Sequence, residues 1–278
     1  MMQVLRTPAE LRAWRDAQGA VALVPTMGNL HEGHLRLVEE ARRHAPAVVA
    51  SIFVNPLQFG PGEDYERYPR TWESDCAKLV GAGCDALFAP AAADMYPRVQ
   101  TCFVAPPPLA EELCGARRPG HFRGVLTVVL KLFNLVRPQT ALFGKKDYQQ
   151  LALVRDMAAQ FALPVAIVGV DTVRADDGLA LSSRNGYLGA AERAEAPRLY
   201  RTLAAAAERL RVGERDFPRL EKDAAQALTD AGWRVDYVAV REAGTLASAR
   251  AEGGEFVVLA AAWLGGTRLI DNLEAAPG

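Results

Sequence analysis

The chain has 278 residues, of which 50% are hydrophobic and 23% are charged, a composition ordinary for a globular enzyme. Its 32 basic and 33 acidic residues give a formal charge of −1 without a lysine- or arginine-rich run, which argues against a nucleic-acid-binding surface. No stretch approaches the roughly 20 apolar residues of a membrane span. The N-terminus also lacks a basic segment followed by an apolar core, so we expect a cytoplasmic protein of two domains.

In the first part of the chain, short apolar runs alternate with helical patterns. Strands are predicted at residues 20–24, 48–54, 85–88, 140–143 and 165–170. Helices are predicted at residues 33–44, 71–80, 125–136 and 147–161. Strands separated by helices predict an α/β fold with a Rossmann-like, doubly wound parallel sheet. Ligands of such sheets bind beyond the carboxyl ends of the strands.

The pattern changes after residue 170. Helices are predicted at residues 190–210 and 217–231, followed by strands at 235–240, 255–262 and 267–270, of which the last two are joined by Gly265-Gly266. This order predicts a smaller C-terminal α+β domain. We place the boundary near residues 171–178, which include the acidic turn of residues 175–178. This gives a Rossmann-like domain over residues 1–172 and a second domain over residues 173–278.

The segment His31-Glu32-Gly33-His34 lies where a predicted strand meets a predicted helix. A helix N-terminus attracts phosphate through its unpaired N–H groups and its dipole. Two histidines three residues apart share one face of a helix, from which both can donate to one polyphosphate, and bound phosphate favours the imidazolium form. Gly28 and Gly33 leave room for a nucleotide beside the backbone. The alternative interpretation is a pair of surface histidines at a helix start.

Polar side chains follow two further strands. Asn55 and Gln58 offer neutral donors and acceptors that suit a hydroxy acid, and the alternative is an Asn-Pro turn beside a solvated glutamine. Lys145 and Lys146 stand at another strand-to-helix junction, where a lysine reaches phosphate oxygens as a point charge. Exposed lysines are the alternative there.

After the domain boundary, Ser182, Ser183 and Arg184 combine hydroxyls with a guanidinium. This set suits a triphosphate, and a mobile loop is able to close over it. By itself the segment is a weak signal and favours a simple turn.

Two other patterns carry no chemistry. Residues 81–86 fit a G-x-G-x-x-A pattern but follow a helix and precede a strand, the reverse of the dinucleotide-binding order. A helix C-cap and connection is therefore predicted there. The cysteines match neither a zinc nor a redox motif, so we expect buried or half-buried free thiols at Cys76, Cys84, Cys102 and Cys114.

Four segments, in this order, resemble the pantothenate synthetase family: PTMGNLHEGH, FVNPLQFG, FGKKDYQQL and LSSRNGYL. The segments HFRGV at residues 121–125 and GTRLIDN at residues 266–272 also resemble that family. Each segment is a weak signal, but together they are specific and cover the chain from about residue 21 to residue 272. The wider group is the HIGH-type nucleotidyltransferases.

The resemblance implies a ligase that joins pantoate to β-alanine at the expense of ATP, through a pantoyl adenylate. His34 resembles the proton donor to the departing phosphate, and His31, Lys146 and Arg184 resemble the other catalytic residues. Gln58 and Gln150 resemble the pantoate ligands, and Gln58 also a β-alanine ligand. The residues that resemble ATP contacts are Met27, Gly28, Asn29, Leu30, His31, Glu32, Gly33, His34, Gly144, Lys145, Lys146, Asp147, Val173, Leu181, Ser182, Ser183 and Arg184.

The resemblance also implies Mg²⁺ with ATP, a homodimer, and a C-terminal domain that acts as a lid and excludes water from the adenylate. Because Mg²⁺ is often held by substrate phosphates and water, no protein ligand is assigned. The chain departs from the family at Lys145, where many relatives carry glutamate, and at Leu181, where methionine is common. The second change conserves volume and is expected to matter little.

Two other functions fit part of the pattern: another HIGH-type nucleotidyltransferase that adenylylates a small molecule, and a non-catalytic nucleotide sensor. The amides of Asn55, Gln58 and Gln150 favour a substrate with hydroxyl and carboxylate groups over a phosphate. The two histidines together with Lys146 and Arg184 favour an enzyme over a sensor. A tRNA synthetase is disfavoured because no basic anticodon-binding extension is expected.

Overall fold

The computed structural model describes residues 2–252 and 254–276. The chain divides into two compact units. The first consists of Met1–Gly144 and Leu153–Asp171, and the second of Lys145–Ala152 and Thr172–Gly278. The second unit includes residues 145–152, which the predicted boundary placed in the first domain.

The first unit is built on a parallel sheet. Its described strands are β1 (Gln3–Leu5), β2 (Val21–Thr26), β3 (Ala47–Ile52), β4 (Ala86–Phe88), β5 (Thr140–Gly144) and β6 (Ala166–Val170). All neighbouring pairs are parallel, in the order β1-β4-β3-β2-β5-β6. From β2 the chain passes to β3 on one side and later returns to β5 on the other. The order therefore reverses between β2 and β5, where doubly wound sheets bind their ligands. The predicted Rossmann-like fold is confirmed.

Helices cover this sheet and form part of the second unit. Their bounds are α1 (Pro8–Asp16), α2 (Glu32–Ala41), α3 (Trp72–Gly81), α4 (Ala92–Met95), α5 (Cys114–Arg117), α6 (His121–Val136), α7 (Tyr148–Gln160), α8 (Ala190–Glu195), α9 (Arg198–Arg211) and α10 (Phe217–Asp230). Short 3₁₀ helices span Pro56–Gln58, Pro108–Glu111, Lys145–Asp147 and Ser183–Tyr187. Neither β1 nor α1 was predicted, although Thr7 and Glu10 form a capping box with Pro8 in the first turn of α1.

The core of the first unit explains why its strands are continuously apolar. Val21 to Val24 are all fully buried, because helices lie on both faces of a parallel sheet. On one face, Val38 and Ala41 of α2 pack in a single apolar cluster with Val24 of β2 and Leu142 of β5. This packing fixes α2 against β2 and β5, the two strands between which the order reverses.

The second unit contains an antiparallel sheet of three described strands, β7 (Arg234–Glu242), β8 (Phe256–Leu264) and β9 (Thr267–Ala275), in that order. Leu203 of α9 and Leu228 of α10 join Val258 and Phe256 in its apolar core. Leu264 pairs with Thr267 across Gly265-Gly266, as the hairpin prediction required. The predicted smaller α+β domain is confirmed as a fold.

The single helix predicted at residues 190–210 is wrong, since the structure has α8 and α9 there, with Pro197 between them. Proline lacks the backbone N–H that a continuous helix needs, and its ring clashes with the preceding turn.

The thiols and the helix connection agree with the predictions at all but one position. Cys76, Cys84, Cys102 and Cys114 form no disulfide bonds. Burial raises the pKa of the Cys84 thiol to about 11. Cys102 is exposed rather than buried, because it lies in an irregular surface segment. After α3, Gly83 has a φ of +78° and β4 follows, so residues 81–86 form the predicted connection. In the described part of the chain, no helix has both the length and the apolar character needed to cross a bilayer.

Candidate active site

The loop between β2 and α2 turns through two left-handed residues. Gly28 has a φ of +86° and Asn29 a φ of 51°. A Cβ atom on Gly28 would lie 3.1 Å from Ile52 Cγ2 and 3.2 Å from Asp75 Oδ2, so glycine is favoured by both conformation and space. The tight turn allows α2 to begin at Glu32, just beyond the carboxyl end of β2.

His31 and His34 cap the helix that they open. His31 Nδ1 accepts from the Gly33 N–H at 3.2 Å, and His34 Nδ1 accepts from the His31 N–H at 3.3 Å. The ring centroids are 4.1 Å apart. Because Nδ1 of each ring accepts a hydrogen bond, the neutral rings carry their protons on Nε2. The pair therefore carries two Nε2–H groups beside a helix N-terminus. The imidazolium form, which is expected when phosphate is bound, stays a prediction.

Helix α3 fixes the loop from the other side. The carboxylate of Asp75 accepts the N–H groups of Asn29 at 2.9 Å and Leu30 at 2.8 Å, and the Thr71 hydroxyl donates to it at 3.0 Å. One helical turn later, Lys78 Nζ donates to the Leu30 carbonyl at 2.6 Å. Asp75 is only 1% exposed. Asp75 thus holds two backbone N–H groups of the loop that leads into His31, and Lys78 holds one of its carbonyl groups.

Replacing Asp75 with asparagine is expected to reduce kcat about tenfold and to destabilise the fold by about 1–3 kcal/mol. The new NH₂ group must face one of two backbone N–H donors, which leaves a buried donor unpaired and shifts the loop. Steady-state kinetics and thermal unfolding measure the two effects.

Asp85→Asn is a matched control, because the Asp85 carboxylate also accepts a backbone N–H, that of Val48, at 2.8 Å. It lies away from the loop and should leave the kinetics unchanged. If Asp75→Asn lowered only the melting temperature and left kcat and KM at the wild-type values, Asp75 would have no role in positioning the histidines.

The amide of Gln58 has a defined orientation. Asn55 Oδ1 must be the oxygen, because the Leu57 N–H at 3.3 Å and the Tyr96 hydroxyl at 2.8 Å both donate to it. Asn55 Nδ2 therefore donates to Gln58 Oε1 at 3.1 Å, and Gln58 Nε2 points at Met27 Sδ at 3.0 Å. The side chain of Gln58 presents NH₂ rather than carbonyl oxygen. Because a Gln NH₂ has two hydrogens and the described residues supply it with one weak sulfur acceptor, it can donate to a hydroxyl or carboxylate.

Asn55 itself positions Gln58. It is 1% exposed, and its amide is engaged by Gln58, by the Gly124 carbonyl at 3.2 Å and by Tyr96. Burial raises the pKa of Tyr96, so its hydroxyl remains a donor at neutral pH. The sequence suggested that both amides meet a hydroxy acid. In the structure both hydrogens of the Asn55 amide have protein partners, and the contact of Gln58 with a hydroxy acid stays a prediction.

The backbone of Gln58 is held by the segment that precedes α6. His121 Nδ1 lies 2.8 Å from the Gln58 carbonyl, so this nitrogen carries a proton, and Arg118 Nη1 donates to His121 Nε2 at 2.9 Å. Arg118 also forms two hydrogen bonds with Glu63, at 2.8 and 2.6 Å. Burial raises the pKa of Glu63, but the hydrogen bonds and charge of Arg118 outweigh it and leave the pKa below its usual value. The HFRGV segment thereby holds the backbone of Gln58 in place.

In the second unit, the 3₁₀ turn Lys145–Asp147 is attached to β9. Lys145 Nζ pairs with Glu274 Oε2 at 2.8 Å, and the Tyr148 hydroxyl donates to Glu274 Oε1 at 2.7 Å. Burial, together with this hydrogen bond, raises the pKa of Tyr148 to about 12. The ammonium of Lys146, by contrast, makes no hydrogen bond or ion pair with any described residue. Of the two lysines, Lys146 is the better placed to receive an anion.

A hairpin brings the remaining predicted ATP contacts of this unit together. The Leu181 N–H donates to the Val173 carbonyl at 3.0 Å, and Gly178, with a φ of +93°, closes the turn. Ser182 caps the following 3₁₀ helix by accepting the Arg184 N–H at 3.3 Å. Asn185 Nδ2 donates to the Ala180 carbonyl at 3.0 Å, while its buried Oδ1 has no hydrogen-bond partner among the described residues.

Comparison with known proteins gives the family. A family model described as pantoate-beta-alanine ligase matches residues 3–274. The chain belongs to this family. It is 61% identical over 274 residues to the pantothenate synthetase of Chromobacterium violaceum, which covers 98% of this chain and 99% of that protein.

Solved structures of pantoate–β-alanine ligases have the same fold. The pantothenate synthetase of Thermus thermophilus superposes with a TM-score of 0.94 at 50% identity, covering 99% of this chain and 100% of that chain. The pantoate-beta-alanine ligase of Francisella tularensis, solved with beta-gamma ATP and beta-alanine, superposes with a TM-score of 0.83 at 31% identity and covers 98% and 97% of the two chains.

Each unit of this pantoate–β-alanine ligase carries part of the predicted residue set. The first unit holds Met27, Gly28, Asn29, Leu30, His31, Glu32, Gly33, His34, Gln58 and Gly144, and the second holds Lys145, Lys146, Asp147, Gln150, Val173, Leu181, Ser182, Ser183 and Arg184. Glu32 and Asp147 are exposed, whereas Gly28 and Leu30 are buried.

Sequence patterns missed the residues that support this set, notably Asp75, Tyr96 and Asn272. One signal was present, because Asp75 lies four residues before the fully buried Leu79, on the apolar side of a predicted helix. A charged side chain on the apolar side of a helix indicates that it has a buried partner.

The described residues form no protein cage for a metal. Within residues 2–252 and 254–276, no group of three or more His, Cys, Asp or Glu side chains is arranged to hold a metal ion. The donor set near His34 is instead rich in N–H groups, which suits phosphate oxygens.

Proposed function

We propose that the chain condenses pantoate with β-alanine in two ATP-dependent steps, through a pantoyl adenylate. One observation supports this most directly. In a member of the pantoate–β-alanine ligase family, two Nε2–H donors stand at the N-terminus of α2, on a loop whose Met27 contacts the Gln58 NH₂ group. Donors for a polyphosphate and a donor for a small hydroxy acid thus lie beside the same loop.

In the first step, a carboxylate oxygen of pantoate attacks the α-phosphorus of ATP, and the bond to the diphosphate oxygen breaks. The protein needs no covalent nucleophile for this, since positioning and charge stabilisation dominate phosphoryl transfer. His31 and His34 donate to phosphate oxygens, and His34 is the proposed proton donor to the departing diphosphate. Lys146 and Arg184 neutralise charge that develops on the phosphates.

In the second step, the uncharged amine of β-alanine attacks the acyl carbon of the adenylate. The bond between that carbon and the AMP oxygen breaks, and the amine loses a proton as the amide forms. Gln58 is the proposed ligand of both pantoate and β-alanine, and Gln150 a second pantoate ligand. The remaining ATP contacts are those predicted from the resemblance, with Lys145 acting through its backbone because Glu274 holds its side chain.

Four further features are part of the proposal. Mg²⁺ enters with ATP and neutralises phosphate charge, the protein is a cytoplasmic homodimer, and the domain of residues 173–278 acts as a lid. The resemblance to the family supports each of them. Light scattering of the purified protein tests the dimer, because a monomeric mass at micromolar concentration contradicts it.

The test follows AMP and diphosphate release in four reactions, with both, either or neither of pantoate and β-alanine. Pantoate alone should support exchange of labelled diphosphate into ATP, and only both substrates together should give sustained AMP and pantothenate formation. An enzyme that forms a stable adenylylated product, unaffected by β-alanine, would be a different nucleotidyltransferase, and the proposal would be wrong.

A further inference from the structure

The side chain of Asn272 bridges the backbone on both sides of Lys146. Its Nδ2 donates to the Lys145 carbonyl and to the Lys146 carbonyl, each at 2.9 Å. Asn272 is 6% exposed, and it stands in β9, more than a hundred residues beyond the lysines in sequence. No role follows for this residue from the contacts with substrate proposed above.

These two hydrogen bonds restrict the direction of the Lys146 side chain. Each peptide unit is planar, so the position of its carbonyl oxygen, together with the two flanking Cα atoms, fixes its plane. The Lys145 carbonyl lies in the plane before the Lys146 Cα atom, and the Lys146 carbonyl lies in the plane after it. Holding both planes fixes φ and ψ at Lys146 and therefore the direction of its Cα–Cβ bond.

Asn272 is in turn held by its neighbour on the strand. Its N–H donates to Asp271 Oδ1 at 2.8 Å, and its carbonyl accepts from Arg174 Nη2 at 3.2 Å. The Arg174 guanidinium donates hydrogen bonds to both carboxylate oxygens of Asp271, at 2.7 and 2.9 Å. Because side chains alternate along a strand, Asp271 and Asn272 point to opposite faces of β9. The ion pair therefore anchors the strand from one face while the amide reaches the lysine turn from the other.

Arg174 is fixed by two more contacts. Its guanidinium donates to the Gly178 carbonyl at 3.0 Å and lies 4.3 Å from the centre of the Tyr200 ring. The Asp271 side chain is 2% exposed and that of Arg174 17%. A fork-shaped guanidinium suits this geometry in a way that an ammonium does not. The chain of contacts thus runs from Arg174 through Asp271 and Asn272 to the backbone of Lys146.

We propose that Asn272, held by the Arg174–Asp271 pair, is a positioning residue that aims Lys146 at the phosphates of ATP. This inference rests on the proposed function, which assigns phosphate binding to Lys146. Asn272 acts through Lys146 and makes no contact with the substrates. Its contribution should therefore disappear when the lysine ammonium is removed.

A double-mutant cycle tests this dependence. The rate of pantoate-dependent diphosphate exchange is measured for the wild type, Asn272→Leu, Lys146→Met and the double variant. Leucine is similar in size to asparagine but has no donor. We expect Asn272→Leu to lower the rate about tenfold in the wild type, since a small misplacement of a catalytic group is costly. In the Lys146→Met background, the same change should lower the rate less than about twofold.

Asp236→Asn is the matched control. Asp236 is the partner of a similarly buried ion pair in the same sheet, with Arg268 Nε at 2.7 Å, and neither side chain belongs to the proposed site. It should lower the melting temperature without changing the exchange rate. Arg174→Lys serves as a second variant if Asn272→Leu fails to fold. Lysine keeps the positive charge but cannot donate to both oxygens of Asp271 as the guanidinium does. This variant should lose less of the exchange rate than Asn272→Leu, and the loss should again depend on the presence of Lys146.

Equal losses in the wild-type and Lys146→Met backgrounds would overturn the inference, as would a folded Asn272→Leu variant with the wild-type rate. If Lys146→Met alone left the exchange rate unchanged, both the phosphate role of Lys146 and the inference would be wrong. Formation of pantothenate in the same protein would still support the proposed ligase activity, so the two failures are distinguishable.

Discussion

Replacement of His34 by alanine is expected to lower kcat for adenylate formation by about 10²–10³-fold, the usual loss for one donor that stabilises transition-state charge. The His34 ring contributes an Nε2–H donor beside His31, with ring centroids 4.1 Å apart, at the N-terminus of α2. Pantoate-dependent diphosphate exchange and single-turnover AMP formation measure the loss. KM for ATP should change less than kcat, since the donor matters most when the diphosphate leaves.

The alanine variant has a second defect that must be separated from the first. His34 Nδ1 also accepts the His31 N–H, so the substitution removes a helix cap and destabilises the protein by about 1 kcal/mol. His34→Gln is the matched control, because glutamine at this third helical position can accept the same N–H in a capping box. We expect the glutamine variant to unfold near the wild-type temperature and still to lose most of its kcat.

A His34→Gln variant with the wild-type kcat would remove the imidazole from the mechanism. Equal melting temperatures for the alanine and glutamine variants would instead contradict the capping role. The two measurements are independent, so each part of the assignment can fail on its own.

The sequence predicted the position of the junction between β2 and α2, but not the hydrogen bonds that its two histidine rings make. A predicted strand, a glycine turn and two histidines three residues apart place both rings at the start of α2, as observed. The direction of the Nδ1 atoms follows from the two capping hydrogen bonds, which no periodicity reveals. That direction decides which ring nitrogen is left for other partners.

Supporting residues were the harder part of the prediction, because their partners are distant in sequence. Asp75 accepts hydrogen bonds from Leu30 and Asn29, which lie 45 and 46 positions earlier in the sequence. Asn272 donates to Lys146 and Lys145, which lie 126 and 127 positions earlier. Local patterns specify helices and strands through periodicity, but such contacts exist only once the elements pack. The same argument explains Gly124, whose place in an apolar helix gave no sign of a close neighbour.

Replacement of Gly124 by alanine is expected to lower kcat/KM for pantoate by about 10²-fold. A Cβ atom there would lie 2.1 Å from the Leu57 carbonyl oxygen and 2.7 Å from the Gln58 N atom. Both are backbone atoms, so α6 and the 3₁₀ turn Pro56–Gln58 must separate. That movement displaces the Gln58 amide by about 1 Å, which is enough for a loss of this size, and it breaks the hydrogen bond from Asn55 to the Gly124 carbonyl.

The effect on stability has opposing contributions. Alanine is favoured over glycine inside a helix by about 1 kcal/mol, whereas forcing an extra carbon into a packed site costs about 1–3 kcal/mol. Because the contact is with backbone rather than with a flexible side chain, we expect the packing term to dominate and Gly124→Ala to be destabilised. Chemical denaturation and pantoate-dependent kinetics on the same protein measure both effects.

Gly81→Ala isolates the contribution of helix propensity. Gly81 ends α3, has no atom within 4 Å of the position of an added Cβ, and makes no contact with the proposed site. It should leave pantoate kinetics unchanged and keep or slightly raise stability. If Gly124→Ala had the same pantoate kinetics and stability as Gly81→Ala, the space between α6 and the 3₁₀ turn would be large enough for a Cβ atom. The close approach of Gly124 would then not determine the position of Gln58.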